Sequence, residues 1–405
     1  MNSSNIISLK DTKVFNPIKV GNIELSHRIA LPSLTRLRAS VDNIPSDLNL
    51  KYYDDRSQTP GTLVMTEGLV VSPELGTIRH VAGIFSDKQV EAWKRITDKV
   101  HENGSFIGAQ LVAFGRSSEA SYMKELGYDM LGVMAEHIDS QTQKYAEDAG
   151  ESIRQITEEE IKEILLRDFI RASQNSFDAG FDFVEIHACS GYFLDTFLQS
   201  SSNRRTDKYG GSIENRARLI LEVVDILVAK FGASKLALRI SPWNYYQEMK
   251  GEFDDCHPYA QFSYLLKELQ KRAESGNELA WISTVEPRVS GSEDSAVKSS
   301  VSNNFMYDIW KGKIFRSGGY GYSAPDFETV LNHVDNDRTI LGFGRLFTSN
   351  PDLVDRLKNG WDLSIYDRDT FYLYVNWGYN TFNKYGEDIK FSEEQEMART
   401  PKALV

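Results

Sequence analysis

Eight short apolar stretches, separated by segments of helical pattern, constrain the fold more than any other feature of this chain. They are HRIALPS (27–33), GTLVMTEG (61–68), SFIGAQL (105–111), FDFVEIH (181–187), KLALRIS (235–241), LAWISTVE (279–286), KIFRSGG (313–319) and RTILGFG (338–344). Each is apolar along its length rather than alternating, as strands are when a parallel sheet is covered on both faces. The clearest intervening helix is TEEEIKEILLRDFIRASQNSFDAG. Thr157 and Glu160 have the spacing of a capping box, Ile161, Ile164, Leu165, Phe169 and Ala172 form one stripe, and Gly180 is a stop signal. Similar patterns cover 87–103, 214–231, 258–275 and 326–334. Eight strands alternating with helices predict a (β/α)8 barrel. The alternative is an open doubly wound sheet, but no G-x-G-x-x-G opens a helix after the first strand.

A chain of 405 residues exceeds a minimal barrel of about 250 residues. The surplus falls at 1–26, where FNPIKVGNIELSHR predicts a hairpin cap turning at Gly21-Asn22, at 112–155 and 287–304, expected as extra loops over the C-terminal face, and in the tail 361–405. No Pro/Gly/Ser-rich linker divides the chain, so residues 1–405 are expected to form a single domain. A net charge of -12 argues against nucleic acid or an anionic membrane as partner. Cys189 and Cys256 supply neither a disulfide framework nor a metal-ligand cluster, so no metal is expected. The opening stretch MNSSNIISLKDTKVF does not read as a secretory signal and no apolar run has membrane-spanning length, which makes a cytoplasmic protein the expectation.

In such barrels the C-terminal strand ends build the active site. Here those ends carry Thr35, Thr66-Glu67-Gly68, Gln110, His187, Arg239, Glu286, Gly318-Gly319 and Gly344-Arg345. The glycines of the seventh and eighth strand ends stand where barrels commonly bind phosphate, and Arg345 adds a cation; taken singly, each pair could simply make a βα turn. Arg239, flanked by Leu238 and Ile240, needs either an anionic ligand or a carboxylate partner. Gln110 offers a donor and an acceptor suited to an amide-like heterocycle. The stretch EIHACSGYFLDTF places His187, Ser190 and Tyr192 within six residues of one strand end, a pattern open to a structural or a chemical reading.

The chain resembles the old yellow enzymes, FMN-dependent ene-reductases, and specifically their yeast and fungal branch. The resemblance spans nearly the whole chain through FNPIKVGN, PSLTRLRA, YYDDRSQTPGTLVMTEG, EIHACSGY, RTDKYGGSIENRARL, VEPRV, GFGR, SNPDLVDRL and YDRDTFY. It implies a non-covalent FMN reduced by NADPH, and substrates that are α,β-unsaturated carbonyl compounds; it also admits a homodimer. By resemblance, Thr35 contacts the flavin carbonyl beside N5, Gln110 the pyrimidine edge and Arg239 the N1/O2 region. Gly318, Gly319, Gly344 and Arg345 hold the phosphate. His187 and Ser190 bind the substrate carbonyl, Tyr192 protonates the alkene, and Tyr372 lines the substrate pocket; the residues alone would place Tyr372 in the core. Relatives usually carry Asn or His where this chain has Ser190, a shorter donor that bears on substrate scope more than on the reaction. A flavin-free barrel acting on a phosphorylated substrate is a rival reading, although no lysine stands at a strand end to form a Schiff base. A flavin-binding protein without turnover is another; it would need the pocket but not Tyr192.

Overall fold

The computed structural model describes residues 6–295 and 301–405. Eight parallel strands close into a barrel: β1 (Ile29–Leu31), β2 (Leu63–Val70), β3 (Phe106–Val112), β4 (Phe183–Ala188), β5 (Leu236–Ile240), β6 (Trp281–Val285), β7 (Ile314–Ser317) and β8 (Thr339–Gly342). Each pairs with its chain neighbour, and β8 returns to β1. Every residue of β2, β4, β7 and β8 is buried, which is why the strands read as apolar runs.

All eight expected strands are present. Helices α1 (Asp47–Arg56), α2 (Asp87–Glu102), α3 (Arg167–Asp178), α4 (Ile213–Phe231), α5 (Pro258–Glu274), α6 (Phe305–Ile309), α7 (Glu328–Val334) and α8 (Leu353–Asn359) connect or follow them. The capping box is formed: Thr157 Oγ1 accepts from the Glu160 amide at 3.2 Å, and the Thr157 amide donates to Glu160 at 2.9 Å. The helix it opens is not uniform, because residues Ile161–Leu166 wind as a π-helix before α3 begins. Ile161, Leu165 and Phe169 recur every four residues, a spacing that drifts around a 3.6-residue helix; the wider winding keeps Ile161 and Leu165 on the buried face. Helix α1 escapes sequence reading because its buried face is Leu48, Asn49, Tyr52, Tyr53 and Arg56, hardly an apolar stripe.

The hairpin Ile18–Val20/Ile23–Leu25 caps the N-terminal end of the barrel, as expected. Its Ile18, Val20 and Leu25 pack with interior residues Ala30, Leu63, Met65, Phe183, Trp281, Phe315 and Ile340. A Cβ on Gly21 (φ +52°) would lie 2.0 Å from the Ser234 carbonyl oxygen, so this turn requires glycine. The 112–155 segment is more than a loop. It contains two short helices and a two-stranded parallel sheet around a small core of Ala120, Met123, Met130, Ala146 and Ile153. After β6 the chain forms a hairpin, Val289–Ser290/Glu293–Asp294, above the C-terminal face; the rest of the expected 287–304 loop lies partly outside the described residues. The tail runs back along the barrel, and Ala403 bridges to Ser46. No helix among the described residues is long and apolar enough to cross a membrane.

Candidate active site

The C-terminal mouth holds a cleft with about 720 Å³ of empty space, part of it open to solvent. Its floor is backbone. β7 ends in Ser317 and turns through Gly318 (φ +120°) and Gly319 (φ +70°), while Phe343 and Gly344 follow β8. A Cβ at Gly319 would lie 2.5 Å from the Tyr322 ring and 2.8 Å from Arg288 Nε, so only glycine leaves this backbone bare. Arg239 lines the same cleft and makes one long hydrogen bond, 3.4 Å to Ser317 Oγ. No carboxylate among the described residues comes within ion-pair distance of it, so the structural salt bridge is not formed and the guanidinium faces the cleft uncommitted. Arg316, on β7, shows the opposite arrangement: Nε and Nη2 donate to the buried Glu286 carboxylate at 2.6 and 3.1 Å, which makes Glu286 a structural partner.

Gln110 is buried, and its amide is locked from one side. Nε2 donates to Glu185 at 2.7 Å, and the Glu185 carboxylate also accepts from Trp281 Nε1 at 2.8 Å and from the Ser283 hydroxyl. Thr66-Glu67-Gly68, expected at the rim, lies inside β2, which continues to Val70 past a register shift between Met65 and Gly68. The Thr66 hydroxyl accepts from the Gln110 main-chain N–H at 3.1 Å. Glu67 takes a 3.1 Å bond from Asn49, and burial raises its pKa to about 7 despite nearby Arg36 and Arg38. These residues brace the barrel wall rather than its mouth.

On the β4 side, His187 pairs in register with Arg239 across the β4–β5 boundary. Its Nε2 lies 3.3 Å from Cys189 Sγ, and its Nδ1 is buried with no partner among the described residues. Burial, and then the Arg239 charge, lower the His187 pKa to about 3, so the imidazole is neutral at any working pH. Burial also pushes the Cys189 thiol up to about 12, consistent with a packed, inert thiol. The chain then turns through two left-handed residues, Ser190 (φ +57°) and Gly191 (φ +72°). The turn is pinned by the Ser190 amide on Ser241 Oγ and the Gly191 amide on Asp195, both at 2.8 Å. Tyr192 emerges with its ring edge-on to Phe114 at 5.3 Å, and no described residue hydrogen-bonds its hydroxyl. Burial, followed by the charges of Tyr246 and Tyr372, holds its pKa well above the ordinary value.

A smaller recess opens beside the cleft. It is lined by Leu34, Thr35, Gly291, Arg345, Phe371 and Tyr372, which brings Thr35 and Tyr372 together at the mouth. Tyr372 is 47% exposed, a correction to the core position that the residues alone suggest. Arg345 lines both spaces, but its guanidinium is engaged: Nη1 donates to Asp294 at 2.6 Å and to the Tyr322 hydroxyl, and Nη2 to the Glu293 carbonyl at 2.8 Å. Two residues at this mouth were not singled out by sequence. Tyr246, in WNYYQEMK after β5, lies near Tyr192 and Tyr372. Arg288, in VEPRV, has Nε and Nη2 buried beside Gly319 with no partner among the described residues. An arginine two residues beyond a polar strand end was the available signal for Arg288; a tyrosine in a tyrosine-rich loop gave none for Tyr246.

Residues 13–364 match the profile of the NADH:flavin oxidoreductase / NADH oxidase family. A "Probable NADPH dehydrogenase" of Candida albicans is 50% identical over 382 residues, which cover 94% of this chain and 93% of that protein. "Enoate reductase 1" of Kluyveromyces lactis is 40% identical over 388 residues, covering 94% of this chain and 96% of that protein. Among solved structures, the Old Yellow Enzyme from a Pichia species superposes with a TM-score of 0.92 at 42% identity, over 98% of this chain and 100% of that one. With a closed eight-stranded barrel, a glycine-floored cleft at its C-terminal mouth and these relatives over nearly its full length, the chain belongs to the NADH:flavin oxidoreductase / NADH oxidase family.

Proposed function

We propose that the chain is an NADPH-dependent ene-reductase with non-covalent FMN, in which His187 and Ser190 hold the carbonyl oxygen of an α,β-unsaturated carbonyl compound and Tyr192 protonates its α-carbon. The residues fit FMN. Bare glycine backbone at Gly318, Gly319 and Gly344 suits a phosphate, the uncommitted Arg239 suits the electron-rich end of a reduced isoalloxazine, and the fixed amide of Gln110 suits its pyrimidine edge. Thr35, at the recess beside Tyr372, is positioned on the same side. Reduced FMN bound there supplies a hydride for the β-carbon of the substrate.

The chain's own residues do the rest. As hydride arrives at the β-carbon, charge develops on the carbonyl oxygen, and donors aimed at that oxygen stabilise the transition state. His187 is suited to this as a neutral N–H donor, because its depressed pKa leaves no proton to give away. Tyr192 retains its proton through the working pH range and stands beside His187, where it can deliver it to the α-carbon. The Tyr246 and Tyr372 phenols lie near enough to interact with it.

The observation that carries this reading is a buried ring nitrogen on His187 beside the Tyr192 hydroxyl at one strand end, neither of them hydrogen-bonded by any described residue. Buried polar atoms are seldom left unsatisfied, and a substrate that accepts at one carbon-bound oxygen and takes a proton next to it would engage both. Purified protein should be yellow with FMN and should reduce cyclohexenone at the expense of NADPH. Colourless protein that cannot be loaded with FMN would refute the cofactor assignment, and yellow protein that oxidises NADPH without saturating the alkene would refute the substrate assignment.

A further inference from the structure

Arg36 and Arg38, in the segment after β1, are 3% and 0% exposed, and among the described residues neither guanidinium reaches a carboxylate within ion-pair distance. They bind main chain instead. Arg38 donates from Nε to the Val375 carbonyl at 2.9 Å, from Nη1 to Phe371 at 2.6 Å, and from Nη2 to Thr370 at 2.8 Å and Trp377 at 3.2 Å. Arg36 donates from Nε to the Phe371 carbonyl at 3.2 Å and from Nη2 to Gly378 at 2.9 Å. The Arg36 guanidinium also lies 5.4 Å from the Phe371 ring centroid, and both guanidinia approach the Tyr379 ring, at 5.1 and 4.9 Å.

Burying a guanidinium is costly unless its N–H groups are satisfied, and an apolar staple would anchor a tail at lower cost. What a planar fork of donors adds is geometry: it fixes several carbonyls in one plane. Here the fixed carbonyls belong to the tail strand of chain that carries Tyr372. Only residues 372 to 374 lie between the clamped carbonyls of Phe371 and Val375. Tyr374 is stacked on His80 on one side, with ring centroids 4.5 Å apart, while Tyr372 lines the recess with Thr35 and lies near Tyr192. Leu37, between the two arginines, is held at φ +56° and packs into the apolar cluster of Val70, Val112 and Phe114, which also backs Tyr192. A leucine in that conformation persists only where its surroundings over-determine it.

We propose that Arg36 and Arg38 are positioning residues that determine substrate specificity: they clamp the tail so that Tyr372 forms one wall of the substrate site beside Tyr192. The inference rests on the ene-reductase reading above. It is tested on the FMN-loaded enzyme with a double-mutant cycle of Arg38→Met, Tyr372→Ala and the double variant, comparing a small with a bulky enone. Each single variant should shift the ratio of the two kcat/KM values by about tenfold, and the double variant should shift it no further. Arg38→Lys, which keeps the charge and part of the donor set, should recover part of the ratio.

An unchanged ratio in Arg38→Met, with only a lowered Tm, would overturn the proposal and leave Arg38 a purely structural anchor. Shifts that multiply in the double variant would also overturn it, because Arg38 would then not act through Tyr372. If Arg38→Met does not fold, Arg36→Met and Arg38→Lys carry the same cycle. The affinity of a phenol, read from flavin absorbance, gives a second readout in the same variants. It applies even if neither enone is turned over, an outcome that would refute the ene-reductase reading and not the clamp.

Discussion

The rings of His187 and Tyr192 meet edge to face, with centroids 5.1 Å apart and planes at 84°, across the left-handed pair Ser190-Gly191. On the proposed reading, this pair divides the work of the site. Burial, and then the charge of Arg239 in register beside it, keep the His187 imidazole uncharged, which suits a hydrogen-bond donor rather than an acid. The tyrosine is the group of the pair that still carries a transferable proton.

His187→Asn, which retains an N–H donor, should therefore stay within about tenfold of wild-type kcat/KM, whereas His187→Ala should lose about 10²-fold, the usual consequence of removing one oxyanion donor. Steady-state kinetics with one enone decides this. Equal losses from the two variants would mean that His187 contributes something other than a hydrogen bond.

The same burial has a consequence for stability. His27, His187 and His333 are lowered from 6.5 to about 4, 3 and 4, burial being the largest cause in each. Between those values and 6.5 the unfolded chain binds protons that the folded chain refuses, so their contribution is lost as pH falls. Glu67 and Asp195 act oppositely. Burial raises each to about 7, so they stabilise the fold fully below their unfolded values and lose that contribution as pH rises towards 7. The three histidines are joined by ion-paired carboxylates held low, such as Glu160 beside Arg154, and opposed also by His101, which its hydrogen bond to Asp182 raises. The net is a loss on acidification, and the urea midpoint should fall from pH 6.5 to 4.5. His187→Asn should flatten that fall by about one proton's worth of slope; an unchanged slope would mean the folded His187 is not depressed.

Arg239 bears on the cofactor. Because it lacks a carboxylate partner in the barrel, Arg239→Ala should cost FMN affinity and little folding stability. A charge-assisted hydrogen bond is worth about 1.5–3 kcal/mol, or one to two orders of magnitude in Kd. Titrating apoprotein with FMN and following flavin absorbance measures it. An Arg239→Ala protein that unfolds in the absence of FMN would instead assign the arginine to the barrel itself.

The fold was legible because a parallel barrel imposes a simple code. Each strand is buried on both faces and reads as an apolar run, so all eight were visible, as was the hairpin at Gly21-Asn22. What escaped has a common cause, a polar face that is nonetheless buried. Helix α1 buries Asn49 and Arg56, and Arg36 and Arg38 sit inside the protein on main-chain carbonyls. Thr66 and Glu67 misled in the reverse direction: polar residues near a strand end were read as rim, but β2 extends past them. At the mouth, Arg239, Gly318, Gly319 and Gly344 could be placed from strand ends alone, whereas Gln110, read as a strand end, lies within β3 two residues before its end. Tyr372 came only through resemblance, because a tyrosine in an apolar stretch looks the same whether it lines a core or a pocket.

Tyr192→Phe removes a hydroxyl that no described residue hydrogen-bonds, so folding should be nearly unaffected. Loss of a general acid typically costs about 10²–10⁴-fold, and alkene saturation should slow by that amount. Flavin reduction by NADPH, followed by bleaching of flavin absorbance without enone, should continue at close to the wild-type rate. Parallel loss of both half-reactions would show that Tyr192 shapes the site rather than delivering a proton.

Ser190 gives the last prediction. A non-glycine residue at φ +57° is strained by about 1–2 kcal/mol, and Asn tolerates this conformation better than Ser. The turn cannot relax easily, since the Ser190 amide is held by Ser241 and the Gly191 amide by Asp195. Ser190→Gly and Ser190→Asn should therefore both raise thermal stability. They should part company in catalysis: Asn supplies a longer donor to the carbonyl oxygen, whereas Gly supplies none. Ser190→Asn should change the preference between bulky and small enones by about 1–3 kcal/mol, while Ser190→Gly should lower kcat/KM for both. FMN binding should be unchanged in each, because position 190 lies on the β4 side, away from the glycine floor. If Ser190→Gly matched wild type on every enone, the serine hydroxyl would have no part in holding the substrate, and His187 would bind the carbonyl alone.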